Sequence, residues 1–138
     1  MRMRITFEQI NRLSLIYIYL RNFDGKILRT IVGVECELLF DKDNNWVGIN
    51  IPTKTDDCSK FIIPPIVKTR DNEDIVIKQT NEKLSLLFNL NAEIQTKRED
   101  VCNLDYNEDG FSGIELILNN FNYKTDIIKH FTEFHINS

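Results

Sequence analysis

Glycine is scarce in this chain, with five in 138 residues, and the five are dispersed. That excludes the glycine-rich phosphate loops, which need several backbone amides gathered at one tight turn. Cysteine is scarcer still. Cys36, Cys58 and Cys102 make no Cys-x-x-Cys spacing, and an odd number of thiols argues against a disulfide framework. The two histidines, His130 and His135, stand five apart and so miss the shared helix face that a metal-binding i, i+4 pair needs. Ser112 sits in Phe111-Ser112-Gly113, which lacks the G-x-S-x-G elbow of a nucleophilic serine. No catalytic set assembles from these residues, so the sequence predicts neither an enzyme nor a bound cofactor or metal. Long apolar runs are missing as well. The longest, Leu13 to Leu20, contains Ser14 and two tyrosines and falls well short of the roughly 20 residues of a membrane helix. Arg21-Asn22-Phe23-Asp24 follows it in place of a small-residue cleavage site, so a cytoplasmic protein with no membrane partner is expected.

What the chain does have is a repeat. Ile5-Thr6-Phe7-Glu8-Gln9-Ile10-Asn11 and Leu13-Ser14-Leu15-Ile16-Tyr17 match Ile75-Val76-Ile77-Lys78-Gln79-Thr80-Asn81 and Leu84-Ser85-Leu86-Leu87-Phe88. Further on, the segment from Leu39 to Ile51 matches that from Leu104 to Leu116, placing Asp41 with Tyr106, Asn45 with Gly110, Trp46 with Phe111 and Gly48 with Gly113. Two copies of one unit usually share a core. Each copy alternates apolar and polar residues in short β-branched and aromatic runs, the signature of strands.

The expected build is α+β and strand-dominated: two tandem antiparallel β units in a pseudo-twofold relation, forming one domain over residues 1–138. Residues 4–51 form the first unit and 74–118 the second. A connector, 52–73, holds all three prolines, Pro52, Pro64 and Pro65. Residues 119–138 complete the chain with a C-terminal helix, because Ile127, Ile128, Phe131 and Phe134 recur at three- and four-residue spacing behind a Thr125 cap.

Charge is segregated within the total of −4: residues 1–30 carry +4, 31–59 carry −4, 60–98 carry +2 and 99–115 carry −6. The acid lies in the later part of each copy. Such a field repels nucleic acid and steers toward a basic protein.

Asp105-Tyr106-Asn107-Glu108-Asp109-Gly110 copies the opening of a calcium-binding EF-hand loop, but position twelve is Leu116 where a bidentate Glu is required. A hairpin turn explains more of the letters. Gly110 and Asn45 occupy the place that calls for positive φ, and Gly113 and Gly48 allow a bulge or a close backbone approach. On this reading Gly110→Val destabilises and Asp105→Asn does little.

The run Thr96-Lys97-Arg98-Glu99-Asp100-Val101, continuing from Leu104 through the aspartate-rich turn to Gly113-Ile114-Glu115-Leu116, resembles the YuzE-like family of small bacterial domains, as does Leu84-Ser85-Leu86-Leu87-Phe88. The resemblance implies a strand closed by an acidic turn and brings no catalytic residues. It also implies a role beside toxin genes, as an antitoxin or immunity protein. With the charge pattern, this predicts a non-catalytic inhibitor that blocks a basic toxin, a nuclease, through an acidic surface lined with aromatics. Its candidate contacts are Asp41, Asp43, Trp46, Asp105, Tyr106, Glu108, Asp109 and Phe111. The competing reading is a small-molecule-binding or enzymatic domain with its site at the junction of the two repeats.

Overall fold

Alternating runs such as Ile5, Phe7 and Ser14, Ile16, Ile18 bury every second side chain, which is what a strand with one covered face does. The computed structural model describes residues 4–19, 29–52, 76–79, 83–88, 92–107 and 110–137. They form nine strands: β1 (Arg4–Ile10), β2 (Leu13–Tyr19), β3 (Arg29–Phe40), β4 (Trp46–Pro52), β5 (Val76–Gln79), β6 (Lys83–Leu87), β7 (Thr96–Asn107), β8 (Gly110–Asn119) and β9 (Thr132–Asn137). All belong to one sheet, ordered β5-β6-β4-β3-β7-β8-β2-β1-β9 and curled into a half-barrel.

Leaving β9 aside, the order reads the same from either end once each strand is exchanged for its counterpart in the other copy. The two copies do not lie side by side as separate units. Hairpin β1–β2 of the first copy pairs with β8 of the second, and hairpin β5–β6 of the second pairs with β4 of the first. At the centre β3 pairs antiparallel with β7, Cys36 opposite Asp100 and Val34 opposite Cys102.

The expected α+β class is corrected: the described residues form an all-β sheet, and the expected C-terminal helix is absent from residues 119–137. Asp126–Phe131 makes one 3-10 turn, with the Ile128 amide donating to the Thr125 carbonyl at 3.1 Å. The chain then extends into β9, parallel to β1. A helix this short has almost no return on its nucleation, whereas the open edge of β1 offers a row of unpaired backbone groups. Thr132-Glu133-Phe134-His135-Ile136-Asn137 also alternates with the period of a strand, a signal that the spacing of Ile127, Ile128, Phe131 and Phe134 masked.

One face of the sheet carries the core. Ile5, Ile16, Ile18, Leu38, Ile49, Leu86, Leu104, Ile114 and Leu116 are buried there, joined by Phe121 and by Ile128 of the 3-10 turn. Phe40 stacks on Tyr123 at 3.8 Å between centroids and leans on Phe121 at 6.2 Å. Counterparts agree across the copies: Leu38 faces Ile49, which faces Leu86, and Leu104 faces Ile114, which faces Ile18. This register pairs Leu38 with Leu104 as repeat mates, one residue away from the match of Leu39 with Leu104 that the letters suggest. The connector 52–73 lies outside the described residues except for Pro52, and no helix among the described residues is long and apolar enough to cross a membrane.

Candidate functional site

The tip of the first hairpin is a self-contained turn. Asp41 accepts the amide hydrogens of Asp43 and Asn45, each at 2.9 Å, and the Asn45 side-chain amide at 3.0 Å. Partial burial works to raise the Asp41 carboxyl, but the bonds from Asn45 and Asp43 and the nearby Lys124 outweigh it and hold the group below its ordinary value. The residue with positive φ is Asn44, at 63°, and Asn45 instead bridges to Lys124. This corrects the sequence expectation by one position. Asp43 is exposed at this tip, while Asp41 is half-buried and engaged in the turn.

Two of the predicted contact residues lie inside the protein. Trp46 is fully buried. Counting by twos from Ile49 would turn it outward, but a bulge pairs Phe40 with Trp46 directly after Leu39 with Gly48, so Val47 is skipped and the indole swings onto the core face. There it packs edge-on against Phe88 at 4.8 Å and Phe121 at 5.7 Å and donates its ring N–H to the Gly48 carbonyl at 2.9 Å. Tyr106, across the equivalent bulge in β7, also packs against the core. Phe111 stands opposite it on β8, while Glu108 and Asp109 and the side chain of Phe111 lie outside the described residues.

Asp105 is the other interior residue, only 7% exposed. Its carboxylate accepts the Tyr17 hydroxyl of β2 and the Thr30 hydroxyl of β3, the latter at 2.6 Å. Its backbone carbonyl takes the Ser112 hydroxyl at 3.1 Å. Burial, reinforced by the neighbouring Asp105 carboxylate, pushes the Tyr17 hydroxyl up, so it remains a donor. Tyr17 reaches Asp105 by lying over Gly113, where a Cβ would meet its ring; at Gly48 a Cβ would meet the backbone of Leu86. Both glycines therefore serve close approach. Asp105→Asn, which the sequence expects to do little, replaces one of these two acceptor oxygens with a donor and is expected to destabilise.

Among the described residues an acidic patch lies on the outer face at the centre of the sheet. Glu37 of β3 stands directly opposite Glu99 of β7, and Glu35 stands opposite Val101. Glu35 and Glu99 are exposed, as is Val101 at 52%. With Pro52 and the adjoining strand segments they line a recess of about 650 Å³. Like charges directly opposed on neighbouring strands repel. Among the described residues Arg98 pairs with Asp100 and Lys129 with Asp126, and neither cation serves Glu35, Glu37 or Glu99. Asn50 extends the row beyond Glu37 and accepts the Ser85 hydroxyl at 2.7 Å. In the other half of the sheet the Asn103 side-chain amide donates to Glu115 at 2.8 Å, and its oxygen takes the Gly33 amide at 3.1 Å. Gly33 follows the very exposed Val32 in a bulge of β3 and has φ +73°, a conformation that glycine reaches without strain.

Sequence reasoning passed over Glu35, Glu37 and Glu99 as a group because they lie far apart in the chain. Only the pairing of β3 with β7 joins them. On the opposite, core face the same pairing brings together Cys36 and Cys102, both free and nearly inaccessible. Contact with the Cys36 thiol and burial push Cys102 up, so it is held as an unreactive thiol. Comparison with protein-family models, curated proteins and solved structures finds no match to this chain, and the YuzE-like resemblance rests on its motif alone.

Proposed function

We propose that this protein is a non-catalytic inhibitor of the immunity or antitoxin kind, which binds and blocks a basic toxin, a nuclease, through the acidic outer face at the centre of its sheet. The observation that carries the reading is the direct opposition of Glu37 and Glu99, with Glu35 beside them and none of the three ion-paired to a described lysine or arginine. Such a pair destabilises the free protein slightly and gains when a guanidinium or ammonium group enters. Exposed Val101, and Ile117 at 50% exposure on β8, supply apolar contact next to the acids. A nuclease concentrates cations where it grips phosphate, so one acidic surface can cover its active site and exclude substrate. The candidate contacts move accordingly from the hairpin tips to Glu35, Glu37, Glu99 and Val101, with Asp43 the exposed tip acid.

Co-expression with the product of the neighbouring gene tests the proposal. Relief of toxicity and a stable complex that dissociates as salt is raised are the expected results. Toxicity that continues undiminished, with no complex formed, would sink it.

The recess at the junction of the two copies favours a second reading, a small cationic ligand bound between β3 and β7. A thermal-shift titration with a polyamine such as spermidine separates the two. A saturable rise in melting temperature, abolished by Glu37→Gln, belongs to the small-ligand reading.

A further inference from the structure

The two hairpins of the first copy, β1–β2 and β3–β4, are not strand neighbours, and neither are β5–β6 and β7–β8 of the second. Every strand pair that joins one hairpin to another crosses between the copies: β3 with β7, β2 with β8 and β4 with β6. The later half contributes two further seats for the first, β9 beside β1 and the 3-10 turn against β4. Neither half has a sheet of its own; each is completed only by the other. The acidic recess shares this property, with Glu35 and Glu37 from the first half and Glu99 from the second, and so does the bond from Tyr17 to Asp105.

We infer that a second copy of this chain can replace either half, giving a reciprocal dimer in which residues 4–52 of each chain complete a sheet with residues 76–137 of the other. Each sheet of the dimer keeps the same strand pairs, and each recess draws Glu35 and Glu37 from one chain and Glu99 from its partner. The strand pairs among the described residues are those of the single chain, and the covalent link between the halves favours the closed form at low concentration. Such a tie acts as an effective concentration on the order of millimolar. Folding in dilute solution therefore gives monomer, and refolding near that concentration gives exchanged dimer. The inference rests on topology alone and does not depend on the proposed function.

Leu15 and Ile117 provide the test, since they face each other directly across β2 and β8 and so belong to different halves. In a Cys58→Ser background, one full-length chain carries Leu15→Cys and a second, isotopically labelled chain carries Ile117→Cys. The two are unfolded, mixed, refolded at increasing concentration and then oxidised. A control chain bearing both substitutions should form the 15–117 link internally, which verifies the geometry of the pair. The expected result is a mixed-isotope 15–117 disulfide, in a dimer by light scattering, whose yield rises severalfold from micromolar to millimolar refolding. If the control links internally while the mixture yields no 15–117 link between chains at any concentration, the inference is overturned.

Discussion

Trp46 separates two accounts of this protein at a single side chain. An exposed anchor could be truncated with little effect on stability, whereas a fully buried indole wedged against Phe88 and Phe121 cannot. Trp46→Ala should destabilise by about 3–5 kcal/mol, read as a lower denaturant midpoint. Its aromatic character was plain in the sequence, but its direction depends on the bulge at Leu39 and Phe40, which no letter announces. Gly113 was legible as a position with a special requirement, although the reason, the Tyr17 ring passing over it, belongs to a residue 96 positions away. Gly113→Ala should cost about 1–3 kcal/mol in a denaturant melt through overpacking. Tyr17→Phe should lose about 1–3 kcal/mol, because among the described residues the buried Asp105 then keeps only the Thr30 hydroxyl as a side-chain donor. A neutral result for Tyr17→Phe would mean that this bond does not hold β2 to β7.

The hairpin turn at Asp41 makes a claim about pH. Its folded carboxyl lies below the unfolded value of about 3.9, so the bonds from Asp43 and Asn45 contribute stability fully above that pH and lose it as pH falls through the lowered value. In a pH series of thermal melts, Asp41→Asn should flatten the decline below about pH 4 that the unmodified protein shows. An unchanged decline would place the acid sensitivity elsewhere. Strands were the readable elements, because alternation in Leu13 to Tyr19 and β-branching in Ile31 to Val34 act locally. The last turns of the chain were harder. Ile127, Ile128, Phe131 and Phe134 fit a helix by spacing, yet Thr132–Asn137 became β9 because β1 presented an edge, a cause with no trace in the segment itself. A peptide covering residues 123–138 should accordingly show no helical circular dichroism in water, since six residues of 3-10 turn cannot persist alone.

The repeat predicted two related units and said nothing of how they interlock. Strand order depends on which hairpin edges meet, and that is set by the complementarity of long-range faces such as Leu38 with Ile49 and Leu104 with Ile114, not by any local propensity. Charge segregation showed acid late in each copy, and the pairing of β3 with β7 turned it into a cluster at the centre of one face. If Glu37 and Glu99 oppose each other without a counter-ion, removing one should help the isolated protein. Glu99→Gln should raise stability by up to about 1 kcal/mol at low salt, with the gain shrinking as salt is added. The most direct measurement of the central claim is partner capture by the Glu37→Gln/Glu99→Gln double variant beside the unmodified protein, with melting temperature recorded for both. The account predicts a double variant that melts no lower than the parent and no longer retains the proposed partner, a basic toxin. Retention of that toxin in undiminished yield would contradict it.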